Sequence, residues 1–405
     1  PPRSTPLYSS AASDVYKRQV IGIYEITFLF FLFLGSIKIA RAQNKIIPGA
    51  YQLDHYIKIL GDENIGIVTH QASLISGKTH LIDTLLALNI DIKKVFAPEH
   101  GFRGNADAGE SVADEIDVKT GLPVLSLYGK NKKPSKESFE GISIILFDLQ
   151  DVGVRFYTYL CTRHYVMEAC AENKIPLILL DRPNPNVHYT DGPVMEEDCK
   201  SFVGMHPVPI VSGMTIGEYA KMINGEGWLN DGIQCNLTVI PIKNYTHQTP
   251  YEIPLRPSPN LPNALSISLY PSLCLLEQTV ISVGRGTEMQ FQIYGHPQLP
   301  KTDFTFTPQP SYGSKNPKLK GKICYGTDLR DFERPKRIEL QWLIQSYNKF
   351  PEKDFFFKKG FYRIAGNKKL KKQLGQGMSE KQIRKTWEKE LLAFKKIRKK
   401  YLIYP

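Results

Sequence analysis

Four short apolar runs constrain the fold of this chain more than any other feature of its sequence. Each run is continuous, whereas a strand with one solvated face alternates apolar and polar residues. Continuous runs are typical of parallel strands that are buried on both faces. Segments with apolar residues at helical spacing lie between some of them, and this alternation favours an α/β fold with a mostly parallel sheet. The predicted strands are Ile65–Thr69, Ile92–Ala97, Ile142–Phe147 and Pro176–Leu180, and the predicted helices between them are Lys78–Asn89 and Thr158–Lys174.

A proline-rich segment divides the chain. Residues 250–262 contain five prolines in thirteen positions, which disfavours regular structure. We therefore predict an α/β domain over residues 43–262 and a smaller second domain over residues 263–405. Further predicted elements are a helix near Thr215–Asn224, strands at Leu237–Ile242 and Met289–Tyr294, and a long helix at Ser379–Lys400.

The formal charge of +12 is concentrated at the C-terminal end. Residues 351–405 hold 17 Lys and Arg against 5 Asp and Glu, so the body of the chain offers no basic surface for nucleic acid. Apolar residues of the helix at Ser379–Lys400 form one stripe, which we expect to dock on its own domain and leave the lysines solvated. Contact with a partner or an anionic surface is the alternative. The stripe consists of Ile383, Trp387, Leu391, Phe394 and Ile397.

Residues 1–42 are not expected to belong to the fold. Residues 1–19 end in DVYKRQ, which resembles a translated sequencing adapter. Ile26–Ile37 is a 12-residue apolar run followed by Ala-Arg-Ala at 40–42, the pattern of a signal peptide with its cleavage site. We therefore expect export, to the periplasm or outside the cell, with a mature start near Gln43. An uncleaved anchor is the alternative, but the run is short for a membrane span of about 20 residues.

The six cysteines form no CxxC pair and match no zinc spacing. We expect them to act as small buried apolar residues.

Polar segments follow each of the four predicted strands. In open α/β sheets, ligands bind outside the carboxyl ends of the strands. Carboxylates and arginines are frequent in these segments, so we expect them to converge on one acidic crevice that arginines flank. The segments read THQ (69–71), PEHGFRG (98–104), DLQDVGVRFY (148–157) and DRPNPN (181–186).

Sequence motifs for several other chemistries do not match. SGKT at 76–79 resembles the end of a phosphate loop, but Ala72 stands where its first glycine is required. GRG at 284–286 resembles the start of the dinucleotide-binding motif G-x-G-x-x-G, but Met289 stands where its third glycine is required. The sequence contains neither G-x-S-x-G nor H-E-x-x-H. Carboxylate chemistry without an obvious metal or cofactor remains.

Two carboxyl groups in a cleft suit general acid–base or glycoside chemistry, in which one group protonates a leaving oxygen. The arginines of the same segments either pair with these carboxylates or bind a substrate carboxylate through a bidentate fork. Aromatic residues near these segments would stack on a sugar face; they are Tyr128, Phe156, Tyr157 and Tyr159.

At these residues the sequence resembles the NamZ-type exo-β-N-acetylmuramidase family, over a region from about Ile46 to the C-terminus. The two most specific matches are EHGFRG and FDLQDVGVRFYTY. The matching stretches are APEHGFRG (97–104), AGE (108–110), TGLPVLSLYG (120–129), FDLQDVGVRFYTY (147–159), LDRPNPN (180–186), GMTIGEYA (213–220), SPNLP (258–262), YPSLCLLE (270–277) and GRGTE (284–288).

The resemblance implies a Rossmann-like domain, a smaller α+β C-terminal domain and an active site in the cleft between them. It also implies release of N-acetylmuramic acid from the non-reducing ends of peptidoglycan fragments. The expected substrates are oligosaccharides of alternating N-acetylmuramic acid and N-acetylglucosamine, or muropeptides.

Within this family, Glu99 is our candidate catalytic acid/base, and its alternative role is an ion pair with Arg103. Asp148 or Asp151 would supply the second carboxylate or only order its loop, and the substrate's own acetamido group is an alternative nucleophile. Other candidate substrate-binding residues lie in the matching stretches. They are Arg155 and Arg285 for the lactyl carboxylate of muramic acid, and His70, His100, Arg103, Glu110, Tyr157, Asp181, Arg182, Asn184, Asn260, Glu277 and Glu288.

Two positions depart from the family pattern. Ser212 stands where a histidine usually precedes Gly-Met-Thr, and Val187 replaces a glycine after Asn186. If that histidine contributes to the pocket, its loss affects substrate specificity or the reaction rate. The alternative functions are a glycan-binding protein without activity on the same fold and another cell-wall hydrolase, an amidase or esterase. The intact Glu99 segment favours the glycosidase.

Overall fold

A seven-stranded sheet lies at the centre of the first half of the chain, in a computed structural model that describes residues 45–75, 78–104, 110 and 114–405. The predicted adapter and signal segments, residues 1–42, lie outside the described residues. The strands of this half are β1 (Ile65–Thr69), β2 (Leu74–Ile75), β3 (Thr79–His80), β4 (Ile92–Ala97), β5 (Glu115–Ile116), β6 (Pro123–Ser126), β7 (Ile144–Asp148), β8 (Leu177–Leu180) and β9 (Leu237–Ile240).

The order of the strands in the sheet is β5-β6-β4-β1-β7-β8-β9, and β2 pairs with β3 in a separate hairpin. Strand β5 is antiparallel to β6, and the other neighbours in the sheet pair in parallel. Numbered along the chain, the six parallel strands lie in the order 3-2-1-4-5-6. This is the order of the Rossmann fold, whose ligand crevice opens where the order reverses, here between β1 and β7. The predicted α/β fold with a mostly parallel sheet is confirmed.

The sheet strands are buried as their continuous apolar sequences require. All residues of β1, β7 and β8 are buried. The helices of this half are α1 (Leu53–Leu60), α2 (Leu81–Ala87), α3 (Tyr159–Asn173) and α4 (Ile216–Gly225). Helix α2 begins later than predicted because Thr79 and His80 pair with β2. His80 then caps the helix, since its Nδ1 accepts a hydrogen bond of 3.2 Å from the Ile82 backbone N–H.

The second half of the chain contains a small antiparallel sheet and six helices among the described residues. The strand order of this sheet is β10-β12-β11. Its elements are α5 (Ala264–Glu277), β10 (Ile293–His296), β11 (Thr305–Phe306), β12 (Cys324–Asp328), α6 (Gln341–Lys349), α7 (Lys353–Phe356), α8 (Phe361–Ala365), α9 (Lys369–Gly375) and α10 (Glu380–Lys399).

Helix α10 packs on the molecule through the predicted stripe. Ile383, Trp387 and Phe394 are buried, and Leu391 and Ile397 pack against the same apolar core. That core also contains residues of α3, α4 and α5, so it runs through both halves. Among the described residues, no helix is both long enough and apolar enough to cross a membrane. All six cysteines are buried, as predicted, and none of them forms a disulfide.

Candidate active site

A cavity of about 170 Å³ lies beside the carboxyl end of β4. Its walls come from the segment after β4, the segment before α3, the proline-rich segment, and helix α5 with the loop after it. It therefore draws on both halves of the chain. The lining residues are Glu99, His100, Tyr128, Phe156, Tyr157, Thr158, Val203, Ser258, Asn260, Leu261, Tyr270, Cys274, Glu277, Gln278, Arg285, Phe291 and Ile364.

Glu99 is the carboxylate of this cavity that follows a strand of the sheet. Only 9% of the residue is exposed. The Thr158 hydroxyl donates a hydrogen bond of 2.6 Å to its Oε2. The Tyr128 hydroxyl donates a second hydrogen bond to the Glu99 carboxylate. Burial and the nearby Glu99 charge raise the pKa of Tyr128, so its hydroxyl remains a donor. Arg103, the alternative partner of Glu99, forms its ion pair with Asp117 at 2.7 Å.

A charged pair from the second half of the chain also lines the cavity. The Arg285 Nε donates to the Glu277 carboxylate at 2.8 Å, and the guanidinium lies 5.0 Å from the Phe291 ring centroid. The Lys318 Nζ donates to the backbone carbonyls of residues 277, 279 and 281. Burial acts to raise the pKa of Glu277, but the charges of Arg285 and Lys318 outweigh it and lower the pKa. Glu277 is therefore ionised at neutral pH.

Neutral polar groups complete the lining. The Asn260 Nδ2 donates to the Gly313 carbonyl at 2.6 Å, while its buried Oδ1 has no hydrogen-bond partner among the described residues. The His100 Nε2 and the Ser258 hydroxyl lie 3.1 Å apart. The Tyr157 hydroxyl donates to the Pro257 carbonyl at 3.1 Å. Amide, imidazole, hydroxyl and aromatic groups therefore line the same cavity as the two carboxylates.

Asp148, predicted as a possible second carboxylate, lies outside the lining of the cavity. The Arg182 guanidinium donates to both of its oxygens, at 2.5 and 2.8 Å, and both side chains are almost fully buried. Asp151 is also buried away from the lining, where its Oδ2 accepts from the Gly153 N–H at 2.8 Å. Burial raises the pKa of Asp151 to about 6. Through these hydrogen bonds, Asp148 and Asp151 stabilise the loops at the strand ends.

Arg155, predicted to bind a substrate carboxylate, is buried and bonded to the chain itself. Its guanidinium donates to the carbonyls of Pro193, Val208 and Ile364, and burial lowers its pKa to about 10. Because Ile364 lines the cavity, Arg155 supports the cavity wall.

Other predicted residues near the strand ends also bond to the protein. The His70 Nε2 accepts from the Gln150 N–H, and burial lowers its pKa well below the ordinary value. Asp181 accepts from Thr215, Tyr404 and two backbone N–H groups. The Asn184 Nδ2 donates to the Met214 carbonyl.

The close approach of Asn184 to Gly153 explains the glycine in the segment after β7. Gly153 has a φ of 76°, and a Cβ there would lie 2.1 Å from the Asn184 Oδ1. Only glycine fits both the conformation and the space.

Two further predicted residues lie at the surface. Glu110 forms an ion pair with Lys315 at 2.7 Å, and Glu288 is exposed. Of the sixteen predicted residues, the structure brings six together in the cavity lining. They are Glu99, His100, Tyr157, Asn260, Glu277 and Arg285.

Several lining residues were not singled out from the sequence. Thr158 and Ser258 lie inside stretches that match the family, so motif membership was an available signal for them. Ile364 is far away in sequence and lies in no such stretch. The two departing positions are absent from the lining: the Ser212 carbonyl accepts from Thr190, and Val187 belongs to a separate apolar cluster.

A Rossmann-like sheet beside a cavity with a buried glutamate, an ionised second carboxylate and aromatic walls suits an enzyme that acts on sugars. Two family models place the chain more narrowly. The N-terminal model of exo-β-N-acetylmuramidase NamZ matches residues 65–265, and the C-terminal model matches residues 268–404. The chain belongs to this glycoside hydrolase family, which confirms the predicted family and enzyme class.

Individual relatives agree with this assignment. The chain is 39% identical over 381 residues to the peptidoglycan β-N-acetylmuramidase NamZ of Bacillus subtilis, with 87% of this chain and 89% of the relative covered. Crystal structures of two DUF1343 family proteins from Bacteroides fragilis share the fold. One is 44% identical with a TM-score of 0.83, and the other is 28% identical with a TM-score of 0.77. Each alignment covers 89% of this chain and 99% of the solved chain.

Proposed function

We propose that this protein removes N-acetylmuramic acid from the non-reducing ends of peptidoglycan fragments, with Glu99 as the general acid. The observation that carries the proposal is the position of Glu99. It is a buried carboxylate at the carboxyl end of β4, in a cavity that also holds an arginine and a second carboxylate. The match to the exo-β-N-acetylmuramidase family models supports removal of a terminal sugar.

Glu99 would protonate the oxygen of the glycosidic bond as that bond breaks. The hydrogen bonds from Thr158 and Tyr128 orient its carboxyl group. After proton transfer the same two donors stabilise the carboxylate, because hydrogen bonds to an ionised acceptor are stronger than those to a neutral one. Thr158 and Tyr128 therefore act as positioning residues for Glu99.

The other polar groups of the cavity match the substituents of muramic acid. Arg285 would bind the lactyl carboxylate, since a guanidinium suits a planar anion. Asn260 lines the same cavity, and its side-chain amide suits the acetamido group. Glu277 would stabilise the positive charge that develops on the sugar ring in the transition state. The new bond at the anomeric carbon would form to water, or first to the acetamido oxygen of the substrate and then to water.

We also propose that the protein is exported, on the support of the apolar run at Ile26–Ile37 and the Ala-Arg-Ala at 40–42.

The proposed domain boundary at residues 262 and 263 has the support of the two family models, which meet between residues 265 and 268.

The experiment compares the protein with its Glu99→Gln variant on a chromogenic β-N-acetylmuraminide and on the matching glucosaminide. The protein should release the chromophore from the muraminide and little from the glucosaminide. Loss of general acid catalysis should lower kcat of the variant on natural glycan by about 10²–10⁴-fold. The loss should be smaller on the aryl glycoside, because its leaving group needs less protonation.

Glu288→Gln is the matched control, because it makes the same chemical change at an exposed glutamate outside the cavity. It should retain full activity. Wild-type rates in the Glu99→Gln variant would contradict the proposal. If the protein cleaves neither sugar but binds muropeptides, it is a glycan-binding protein instead.

A further inference from the structure

A second cavity, of about 610 Å³, lies next to the catalytic cavity. Its lining combines aromatic side chains, which are half-buried, with amines and a side-chain amide. These groups do not take part in the proposed chemistry. The lining includes Tyr165, Phe202, Trp228, Lys132, Lys200 and Asn230.

A tight turn separates the two cavities. The backbone N–H groups of Ser201 and Gly204 each donate to the carbonyl of the other, at 2.8 and 3.0 Å. The two central residues of the turn line different cavities, Val203 the catalytic one and Phe202 the second one. Tyr128 shares a hydrogen bond with Glu99, and its ring centroid lies 5.8 Å from that of Phe202. A row of aromatic rings therefore leads from Glu99 into the second cavity.

The rings of the second cavity are held in place by their neighbours. Phe202 and Tyr165 stack with centroids 6.2 Å apart and ring planes 17° from parallel. Trp228 stacks on the buried His206 at 5.0 Å, also within 17°. The Lys132 Nζ lies 5.0 Å from the Phe202 centroid. Rigid, half-exposed rings suit the apolar faces of sugars, because they offer a large contact area at little cost in conformational entropy.

We propose that the second cavity binds the part of the glycan chain that follows the scissile bond. The proposal rests on the proposed function, in which Glu99 stands at the bond between the terminal sugar and the rest of the chain. The rest of the chain must then leave the catalytic cavity past Glu99, and the aromatic row lies next to that residue. Asn230 and Ser201 offer hydrogen bonds to hydroxyl and acetamido groups. Lys132 and Lys200 offer amines to the carboxylate of the next muramic acid. Glu168 and Asp231 line the same cavity, and Lys200 also pairs with Glu197 at 2.5 Å.

Kinetics on substrates of different length test the proposal. The substrates are the chromogenic muraminide, which carries no sugar after the scissile bond, and a four-sugar peptidoglycan chain with muramic acid at its non-reducing end. Trp228→Ala and Tyr165→Ala should each lower kcat/KM for the four-sugar chain by about tenfold, through loss of one stacking contact. Both variants should cleave the aryl muraminide at the wild-type rate. Phe355→Ala is the matched control, since Phe355 is 71% exposed and lines neither cavity.

Two kinetic outcomes would overturn the proposal. Equal losses on both substrates would show that the substitutions damage the catalytic cavity or the fold. Wild-type rates of both variants on the four-sugar chain would show that the chain does not contact the second cavity.

A binding measurement separates this proposal from the proposed function. The probe is a three-sugar chain with N-acetylglucosamine at its non-reducing end, which carries no terminal muramic acid to remove. Trp228 is half-buried, while Trp342 and Trp387 are buried, so the probe should change the tryptophan fluorescence saturably. The change should be absent from a Trp228→Phe variant.

The possible binding results differ in meaning. Saturable binding by a protein that cleaves nothing would refute the proposed function and keep the second site as a glycan site. Cleavage without saturable binding of the probe would overturn the second site. A response to the isolated stem peptide, with none to the glycan, would also overturn it and assign the cavity to peptide.

Discussion

Arg285 is placed in the cavity by contacts that satisfy only part of its guanidinium. Its Nε bonds to Glu277 and its flat face lies over Phe291, and about a quarter of the side chain remains exposed. An arginine held in this way keeps N–H donors for a second anion. The lactyl carboxylate distinguishes muramic acid from glucosamine, so we expect Arg285 to determine sugar selectivity.

An Arg285→Lys variant tests this role. Lysine keeps the charge but loses the planar fork and the face that packs on Phe291. The inhibition constant of free N-acetylmuramic acid should rise by about tenfold, equivalent to one charge-assisted hydrogen bond. The inhibition constant of N-acetylglucosamine should stay the same, and it serves as the internal control. A parallel rise for both sugars would mean that Arg285 shapes the cavity without reading the lactyl group.

The partners of the arginines that follow the strands could not be predicted from the sequence. Arg103, Arg155 and Arg182 occupy similar positions in the sequence, yet each has a different partner. Arg182 pairs with Asp148, Arg103 with Asp117, and Arg155 with backbone carbonyls. Because these partners come from distant segments, no local pattern distinguishes an arginine that binds the fold from one that faces a ligand.

At the scale of elements, two helices begin with the same capping motif in different surroundings. Thr215 caps α4 and Ser379 caps α10, and each hydroxyl accepts from the backbone N–H three residues later. Thr215 is fully buried, and its hydroxyl also donates to Asp181 at 2.7 Å. Ser379 is exposed. The motif fixes where both helices start, but burial determines how much each cap contributes.

Alanine at the two caps should therefore have unequal effects. Ser379→Ala should lower the free energy of unfolding by about 1 kcal/mol, a typical N-cap value. Thr215→Ala should lower it by about 2–3 kcal/mol, because it also leaves a buried carboxylate short of a donor. Chemical denaturation of both variants measures the difference. Thr215→Ser keeps the hydroxyl and should recover most of the loss; equal effects at the two caps would refute the argument.

At the scale of the whole molecule, burial of histidines couples stability to pH. Burial lowers the pKa of His70 and of His206 well below 6.5. The unfolded chain therefore takes up protons below pH 6.5 that the folded protein does not. The free energy of unfolding that the two buried histidines contribute is lost as the pH falls below that value. Asp151 and Asp181 act in the opposite direction, since burial raises their pKa values to about 6 and about 7. The measured slope is the sum of these contributions.

A His70→Gln variant isolates one contribution. Between pH 8 and pH 5.5, the free energy of unfolding of the variant should fall less steeply than that of the wild type, because glutamine does not titrate. Denaturant unfolding at several pH values measures both slopes. The exposed His55→Gln variant is the control and should keep the wild-type slope. A wild-type slope in the His70→Gln variant would show that His70 does not contribute to the pH dependence.

Much of the architecture was predictable from the sequence. Continuous apolar runs, apolar residues at helical spacing and the polar segments after the strands are local features that can be recognised from neighbouring residues alone. The predicted bounds agree within a few residues for β1, β4, α3 and α10. The capping residue of α10 was also visible in the sequence, because a cap needs only its own first turn.

The composition of the cavity was decided by the tertiary structure. Four polar segments do follow the strands, but the ends of β1 and β7 are occupied by the chain's own bonds, such as those of Asp148 with Arg182 and of His70 with Gln150. The cavity opens instead beside β4, where Glu99 meets Glu277 and Arg285 from the other half of the chain. Sequence by itself determined the central strands β1, β4, β7 and β8, helices such as α3 and α10, and the presence of Glu99 at a strand end. Which carboxylates share a cavity depends on contacts between distant segments, and only packing of the whole chain creates those contacts.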